Sequence, residues 1–255
     1  MAEISPYYSG SDRRRHVQSD VHTDISVKNS LIATLPALQR GALLYCSKLV
    51  ELCIHDTLDR AGEISQFAYF PVEGFVSVIF CDSNSNADME VATVGREGMF
   101  NLETVLATSP STFSTRVQGT GRAIKVHRNS LILRRTDDSV FREILLRYIG
   151  VQTNHIAQRI KCMHSHNVTQ RLIRALLMCR DRANTRELFI NHDSLVLITG
   201  ACRESVSYAA YKLQKDGLIS YARGYIVLLD EAALEADGCA CYNVDRQLRE
   251  RIFSL

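Results

Sequence analysis

The sequence predicts an α+β fold in which a β jelly roll is followed by one long helix and then by a winged helix-turn-helix unit. Three observations predict this order. Short apolar or alternating runs occupy about 50–126, a proline-free helical pattern covers 139–166, and two short apolar helical faces meet at Gly200. With 255 residues, of which 46% are hydrophobic and 23% charged, the chain is long enough for two moderate domains.

The N-terminal stretch, 1–30, is polar and has little apolar periodicity, which predicts a mobile arm. The folded part is expected to begin with SLIATLP at 30–36, a short helix that stops before Pro36. No apolar run reaches the length of a membrane span, and the N-terminus lacks the positively charged segment and apolar segment of a signal peptide. We therefore expect a cytoplasmic protein without a secretory signal.

The jelly roll is predicted over 31–136 from regularly spaced short strands. The strand-like runs are LVELCIHDTL, YFPVEGFVSVIF, MEVATVG, STRVQG and GRAIKVH. Turns are predicted at Ala61-Gly62-Glu63, at Asp82–Asp88 and at Gly119-Thr120-Gly121. A closed sheet of this kind is a container, so this domain is the candidate sensor.

The long helix, predicted over 137–166, carries two apolar stripes. The stripe near heptad spacing consists of Leu145, Ile149, Ile156 and Met163, and the second of Val140, Ile144, Tyr148 and Val151. A helix of roughly 42 Å is longer than a small barrel can cover, so the stripe near heptad spacing is expected to form the dimer contact with a second copy of the chain. Packing of the whole helix within one subunit is the alternative.

The C-terminal unit, predicted over 167–232, begins with a helix capped by Asn167, and Leu172, Ala175, Leu176 and Cys179 of this helix are expected to pack under the motif. Asp193 is expected to cap the next helix, and Gly200 supplies the tight turn. Arg203-Glu204-Ser205 then opens a second helix, whose polar face is expected to carry Arg203, Glu204, Ser207, Tyr208 and Lys212.

A wing is predicted after this helix, because LISYARGYIVLL forms two short strands joined at Ala222-Arg223-Gly224. Residues 233–255 are predicted to be a tail. An ordinary helical hairpin is the alternative, but the wing favours a reader of double-stranded DNA. Residues 168–230 contain nine Lys/Arg and six Asp/Glu, and this surplus of three positive charges favours a polyanionic partner.

The segment TGACRESVSYAAYKLQKDGLISYARGYIVLLD resembles the C-terminal domain of the Crp/Fnr superfamily of bacterial transcription regulators, in which G-x-S-R-E-T-V-x-R opens the recognition helix. NVTQRLIRALLMCRDR at 167–182 and VATVGREGMFNLETVL at 91–106 extend the resemblance, which covers roughly 31–245. It implies a cyclic-nucleotide-binding-like jelly roll that holds an effector, a homodimer, and double-stranded DNA and RNA polymerase as partners. It implies no enzymatic activity.

The resemblance also assigns roles to single residues. Arg203 would read a guanine and Glu204 a cytosine amine, while Tyr208 stands where the family has its next base-contacting arginine. The candidates for phosphate contacts are Thr169, Ser205, Ser207 and Lys212. The serine that usually precedes the first arginine is Cys202 here.

The cyclic-nucleotide cradle of the family is altered. Asn101-Leu102 stands where a Gly-Glu pair binds the ribose, and Phe113-Ser114 where an Arg-Ser pair binds the phosphate. Ile156-Ala157 replaces the hydroxyl pair that contacts the base in nucleotide-binding members. An effector other than cyclic AMP is therefore expected.

No cofactor or metal is predicted, although several alternatives stay open. The cysteines lack the close spacing of an iron–sulfur site. His55 and His127 are candidate haem ligands, although histidines in such positions are more often ordinary surface residues. Cys202, at a helix N-terminus that favours a thiolate, leaves a thiol redox sensor open. Cys239-x-Cys241 is a weak metal or redox signal. A cupin-type metalloenzyme would need His-x-His ligands that the predicted strands lack.

Overall fold

The computed structural model describes residues 28–81, 88–108 and 110–253. The predicted arm and the predicted turn at 82–88 lie almost wholly outside the described residues. The end of the predicted arm nevertheless belongs to the fold, because Asn29 is buried. Its side chain accepts a hydrogen bond from Ile32 N and donates to Pro71 O and Gly98 O, both at 2.8 Å. Asn29 therefore caps the first helix and fixes it to the sheet.

The N-terminal domain is an antiparallel sheet with short helices at its ends. Its elements are α1 Ser30–Ala33, α2 Ala37–Tyr45, β1 Ser47–Leu52, β2 Thr57–Asp59, β3 Phe67–Phe80, β4 Met89–Val94, α3 Leu102–Leu106, β5 Phe113–His127 and α4 Arg128–Asp137. The described strands follow the order β1-β5-β3-β4, and β2 pairs with β5. This arrangement confirms the predicted jelly-roll class.

One predicted turn is wrong, because STRVQG and GRAIKVH belong to the single 15-residue strand β5. Gly119 and Gly121 serve a close approach of strands instead of a turn. A β-carbon on Gly121 would lie 2.2 Å from Glu73 O, and one on Gly119 would lie 2.6 Å from the Phe75 ring. The register of β3 against β5 shifts at this point. Glycine is needed here because the backbone at Glu73 and the ring of Phe75 leave no room for a side chain.

Side chains of the strands pack together into a core of the N-terminal domain. The buried members of this core are Leu52, Tyr69, Val76, Val94, Phe100, Val117 and Ala123. Tyr69 and Phe100 stack with ring centroids 4.9 Å apart. A second core forms where the short helices and the long helix cover the sheet.

The long helix α5, Ser139–Ser165, begins after the capping residue Asp138 and lies on this second core. Tyr148 anchors it, since its hydroxyl donates to Met99 O at 2.7 Å and accepts from Met99 N at 2.9 Å. Gly98 makes this possible, because a β-carbon there would lie 2.2 Å from that hydroxyl oxygen.

The stripe of α5 that was predicted to meet a partner is only partly exposed, because Ile156 is exposed while Ile149 is half-buried against the core of its own chain. Leu145, predicted to face a partner, is buried in the core of its own chain. Its neighbour Leu146 is exposed instead, and it shares one helix face with the exposed Ile156 and Ile160. Met163 lies against Gly200 at the turn of the helix-turn-helix.

The C-terminal domain packs helices against a three-stranded sheet. Its elements are α6 Val168–Ala183, β6 Glu187–Phe189, α7 His192–Thr199, α8 Arg203–Lys215, β7 Ile219–Ala222, β8 Tyr225–Leu228 and α9 Glu231–Asp237. Asn167 caps α6 through a reciprocal capping box with Gln170. The predicted packing residues of α6, which are Leu172, Ala175, Leu176 and Cys179, are all buried in this core.

The described part of the predicted tail, 233–253, is largely helical instead. It contains most of α9 and the final helix α10, Cys241–Phe253, which packs against α5. The inner face of α10 includes Tyr242, Asp245 and Leu248. The apolar periodicity did not predict this helix, because the carboxylate of Asp245 lies in the middle of its buried face. Within the described parts of the chain, no helix combines the length and apolarity needed to cross a bilayer.

Candidate nucleic-acid interface

The helix-turn-helix is formed by α7, a left-handed Gly200 with φ of 59°, and α8. Asn191 caps α7, because its side chain accepts from Ser194 N at 2.8 Å. The prediction of Asp193 as the cap is therefore wrong. Asn191 has the extended backbone of a capping residue, which places Asp193 in the first turn with its carboxylate exposed.

The outer face of α8 is the exposed surface of the motif. Its inner residues, Val206, Ala209, Ala210 and Leu213, are buried. At 100° per residue, Glu204, Tyr208 and Tyr211 lie along the middle of the outer face. Arg203 and Ser207 lie on one flank, and Ser205 and Lys212 lie on the other.

Tyr211 was missed by the sequence analysis, although its position three residues after Tyr208 predicts the same face. The two rings are 69% and 64% exposed. An aromatic pair this open is available for a binding partner, because each ring offers an apolar body and a polar hydroxyl.

Arg203 has an intramolecular partner. Its Nη1 lies 2.7 Å from Asp193 Oδ1, and both side chains are mostly exposed. Such a pair is worth at most about 1 kcal/mol in water, so it orients the guanidinium without locking it. Glu204, one residue later, is also exposed.

The phosphate candidates have different surroundings. Ser207 Oγ lies 2.8 Å from His192 Nε2 on α7, and Ser205 Oγ lies 3.0 Å from Cys202 Sγ. Lys212 is exposed on the flank of α8, whereas Thr169 lies half-buried in the first turn of α6. The structure therefore brings three of the four candidates to α8.

The wing is a hairpin of β7 and β8, to which β6 adds a third strand. Arg223 and Gly224 form its two-residue turn with φ of 51° and 79°. Two positive φ values are typical of the hairpin turn that matches the twist of paired strands. The exposed Arg223 is thus carried at the tip of the wing, a phosphate candidate that the sequence analysis did not assign.

The altered cradle is held by its own hydrogen bonds. Asn101 is buried with a left-handed backbone, contacts Asp59 through its amide, donates to Phe67 O at 3.0 Å and accepts from Thr115 Oγ1 at 3.0 Å. Burial raises the pKa of Asp59, and the charge of the nearby Glu103 raises it further. The side chain beside Asn101 is therefore a carboxyl group, which offers no positive charge to an anion.

The other cradle positions are also occupied. Leu102 packs against the core under α5, and the Phe113 ring meets Phe80 edge-on with centroids 6.3 Å apart. Ser114 Oγ accepts hydrogen bonds from Ala61 N at 3.0 Å and from Cys81 Sγ at 3.3 Å. These contacts engage the serine that would remain from the phosphate-binding pair.

The alternative ligand residues are scattered. His55 is exposed, and His127 accepts from Asn129 N through Nδ1 at 3.1 Å as the cap of α4. Cys202 is exposed before α8. The pair Cys239-x-Cys241, by contrast, is buried.

Comparisons with known proteins agree with this architecture. The family model of the Crp-like helix-turn-helix domain matches residues 170–237. No curated protein matches the sequence significantly.

Solved structures are similar over most of the chain. A CRP-family transcriptional regulator from Thermus thermophilus is 20% identical, with a TM-score of 0.62 over 73% of this chain and 94% of that one. FixK2 from Bradyrhizobium japonicum is 18% identical, with a TM-score of 0.64 over 76% and 98%. The c-di-GMP responsive global regulator CLP of Xanthomonas campestris is 18% identical, with a TM-score of 0.61 over 76% and 100%. The chain thus has the fold of the CRP/FNR transcriptional regulators, and its residues 170–237 form a Crp-like helix-turn-helix domain.

Proposed function

We propose that this protein is a sequence-specific DNA-binding transcription regulator that acts as a homodimer on a pseudo-palindromic operator. The observation that carries the proposal is the exposed outer face of α8, where Arg203, Glu204 and Tyr208 lie together, with Arg223 carried at the tip of the wing. A helix presented in this way fits the major groove, and a wing reaches the neighbouring phosphates.

The roles within the groove follow from the chemistry of the side chains. The planar guanidinium of Arg203 matches the O6 and N7 acceptors of guanine, and Glu204 can accept from a cytosine amine. Release of Arg203 from Asp193 costs at most about 1 kcal/mol, which one bidentate base contact offsets. Tyr208 and Tyr211 offer rings and hydroxyls to the middle of the half-site.

The dimer is proposed to form through the exposed stripe of α5. Ile160 is 64% exposed and Leu146 is 59% exposed, and Ile156 lies between them on the same face. A two-fold axis along this stripe would bury these side chains and present two recognition helices about 34 Å apart. RNA polymerase would be the further partner of such a regulator in the cytoplasm.

The effector is proposed to be a molecule other than cyclic AMP. The support is that Phe113 stands where the family has its phosphate-binding arginine, and that Asn101 is engaged by Phe67 and Thr115. An effector can shift DNA binding only through different affinities for two arrangements of the dimer, and couplings of about 1–3 kcal/mol are typical.

Selection of operators from random DNA tests the proposal directly. The purified full chain should enrich a two-fold symmetric sequence whose half-sites lie about one helical turn apart. A chain carrying Arg203→Ala is the control and should enrich a motif with less information at one symmetric pair of positions. Failure of the unaltered chain to enrich any motif would reject the proposal.

A second candidate is a thiol redox sensor, which the position of Cys202 favours. Its exposed sulfur precedes the recognition helix and lies 3.0 Å from Ser205 Oγ. If this role is correct, peroxide treatment should weaken operator binding by the unaltered chain and leave the Cys202→Ser variant unchanged. Equal responses of the two proteins would exclude Cys202 as the sensor.

A further inference from the structure

Four potential metal ligands meet where α5 ends and α10 begins. Cys162 lies in the last turn of α5 and His166 caps that helix, so both lie on one helix face. Cys239 and Cys241 come from the segment that leads into α10. Within the described residues, the three sulfurs and one imidazole nitrogen all lie within 4.8 Å of one another.

The spacing fits a tetrahedron around one ion. With Zn–S bonds of about 2.3 Å and Zn–N bonds of about 2.0 Å, the edges of a tetrahedral site are roughly 3.8 Å between two sulfurs and roughly 3.5 Å between sulfur and nitrogen. The Cys162 and Cys239 sulfurs are 3.7 Å apart. Cys241 Sγ lies 3.6 Å from His166 Nδ1. Two of the six ligand–ligand distances thus match these edges, and all six are at most 4.8 Å.

We propose that Cys162, His166, Cys239 and Cys241 bind one Zn²⁺ ion in a closed structural site. Three thiolates and one imidazole are a ligand set that zinc accepts in tetrahedral geometry. All three cysteines are buried and four protein ligands complete the coordination, so no open position is left for a substrate.

The three thiols differ in pKa. The hydrogen bond with Cys162 lowers the pKa of Cys239 to about 5, whereas the same bond raises the pKa of Cys162 and burial raises the pKa of Cys241. Metal binding requires the deprotonated ligands, so the thiol protons would leave as a divalent cation binds.

The ion would join two segments that are far apart in sequence. Cys162 and His166 end the long helix just before α6 begins the DNA-binding domain, and Cys239 and Cys241 begin the last helix. Zinc would thus cross-link α10 to the junction between the long helix and the helix-turn-helix domain. The inference is independent of the proposed function, because it concerns metal binding and needs no DNA.

Metal analysis of the full chain tests the site. The protein, purified under reducing conditions without chelator, should contain about one zinc per chain. After removal of zinc, Co²⁺ should produce the absorption bands of tetrahedral cobalt–thiolate coordination. The variants Cys239→Ser and His166→Ala should each lower the zinc affinity by more than about tenfold in competition with a chromophoric chelator, since each loses one of four ligands.

A matched control and a second readout keep the test decisive. Cys202→Ser removes a cysteine outside the cluster and should keep full zinc content. Circular dichroism checks the fold of each variant, and cobalt titration of the unaltered chain does not depend on any variant. The proposal is overturned if the unaltered chain neither contains nor takes up zinc, if both ligand variants bind zinc as tightly as the control, or if peptide mapping finds a Cys162–Cys239 disulfide in the freshly isolated protein.

Discussion

Arg203 and Lys212 lie about 180° apart around α8, at opposite flanks of its exposed face. Helical spacing alone placed both on the polar face, together with Glu204, Ser207 and Tyr208. The contact between Arg203 and Asp193 could not be predicted in this way, because it depends on how α7 and α8 cross. These positions lead to different expectations for single substitutions.

Arg203→Ala should cost about 1–3 kcal/mol of binding free energy per half-site and relax the base preference at one symmetric pair of positions. Lys212→Ala should weaken binding to all sequences alike and make the salt dependence shallower by about 0.9 in slope per lost phosphate contact. Titrations on the selected operator and on point-substituted copies, across a salt series, measure both effects. Unchanged base preference in Arg203→Ala would contradict the docking of α8 proposed above.

Asp193→Asn should change operator affinity much less than Arg203→Ala does. The Asp193–Arg203 pair is exposed and 2.7 Å long, so its contribution is at most about 1 kcal/mol, or about fivefold in affinity. Binding titrations at fixed salt provide the measurement. A loss as large as that of Arg203→Ala would show instead that Asp193 itself contacts DNA or fixes Arg203 in its reading position.

At the scale of elements, periodicity predicted that α5 carries two apolar stripes but assigned the wrong leucine to one of them. Leu145 and Leu146 are adjacent, and only contact with the sheet decides that Leu145 is buried and Leu146 exposed. In strand β5, too, the sequence pattern alone predicted the wrong structure. Gly119 and Gly121 resemble turn residues in sequence, yet they allow two strands to approach closely.

Ile160→Asp should convert the proposed dimer into a folded monomer. The position is 64% exposed within one chain, so the substitution leaves the core intact, but it would place a carboxylate in an apolar interface. Asn154→Asp is the matched control, because it adds the same charge to another exposed face of α5. Analytical ultracentrifugation should find monomers for the first variant and dimers for the second. A dimeric Ile160→Asp variant would move the interface away from this stripe.

Cyclic AMP should not bind measurably. Phe113 stands at the position of the phosphate-binding arginine, so the phosphate would lose its hydration without gaining a positively charged partner. Isothermal calorimetry with the full chain should show no saturable heat up to about 1 mM nucleotide, the scale of a binding free energy near −4 kcal/mol. Micromolar affinity would contradict this account of the cradle.

Buried ion pairs join parts of the chain that lie far apart in sequence. Arg159 Nη1 lies 2.8 Å from Glu90, and its Nη2 donates to Ile198 O at 2.5 Å. Arg182 Nε pairs with Glu97 at 2.8 Å. Both arginines connect the jelly roll with the DNA-binding domain. No local sequence pattern predicts such pairs. A charged residue in a helix is usually exposed to solvent, and only the fold shows which oppositely charged residue it meets.

Removal of the buried charge of Asp245 should be costly. Its side chain is fully buried, accepts from Arg174 at 2.6 and 2.7 Å, and lies 3.0 Å from His155 Nδ1. Asp245→Asn would leave Arg174 without its counter-charge, so the free energy of unfolding should fall by about 3–5 kcal/mol at pH 7. Urea denaturation followed by circular dichroism provides the measurement.

The effect of Asp245→Asn should also depend on pH in a defined direction. Burial acts to raise the pKa of Asp245, but the hydrogen bond from His155 and the charge of Arg174 outweigh it, so the pKa lies below its ordinary value. A carboxylate with a lowered folded-state pKa stabilises the fold above its unfolded pKa of about 3.9, and this stabilisation is lost as the pH falls toward the lowered value. The difference in unfolding free energy between the two proteins should therefore be present above about pH 5 and should shrink below about pH 4. A difference that persists unchanged at lower pH would mean that the loss comes from packing around the new amide and not from the charge.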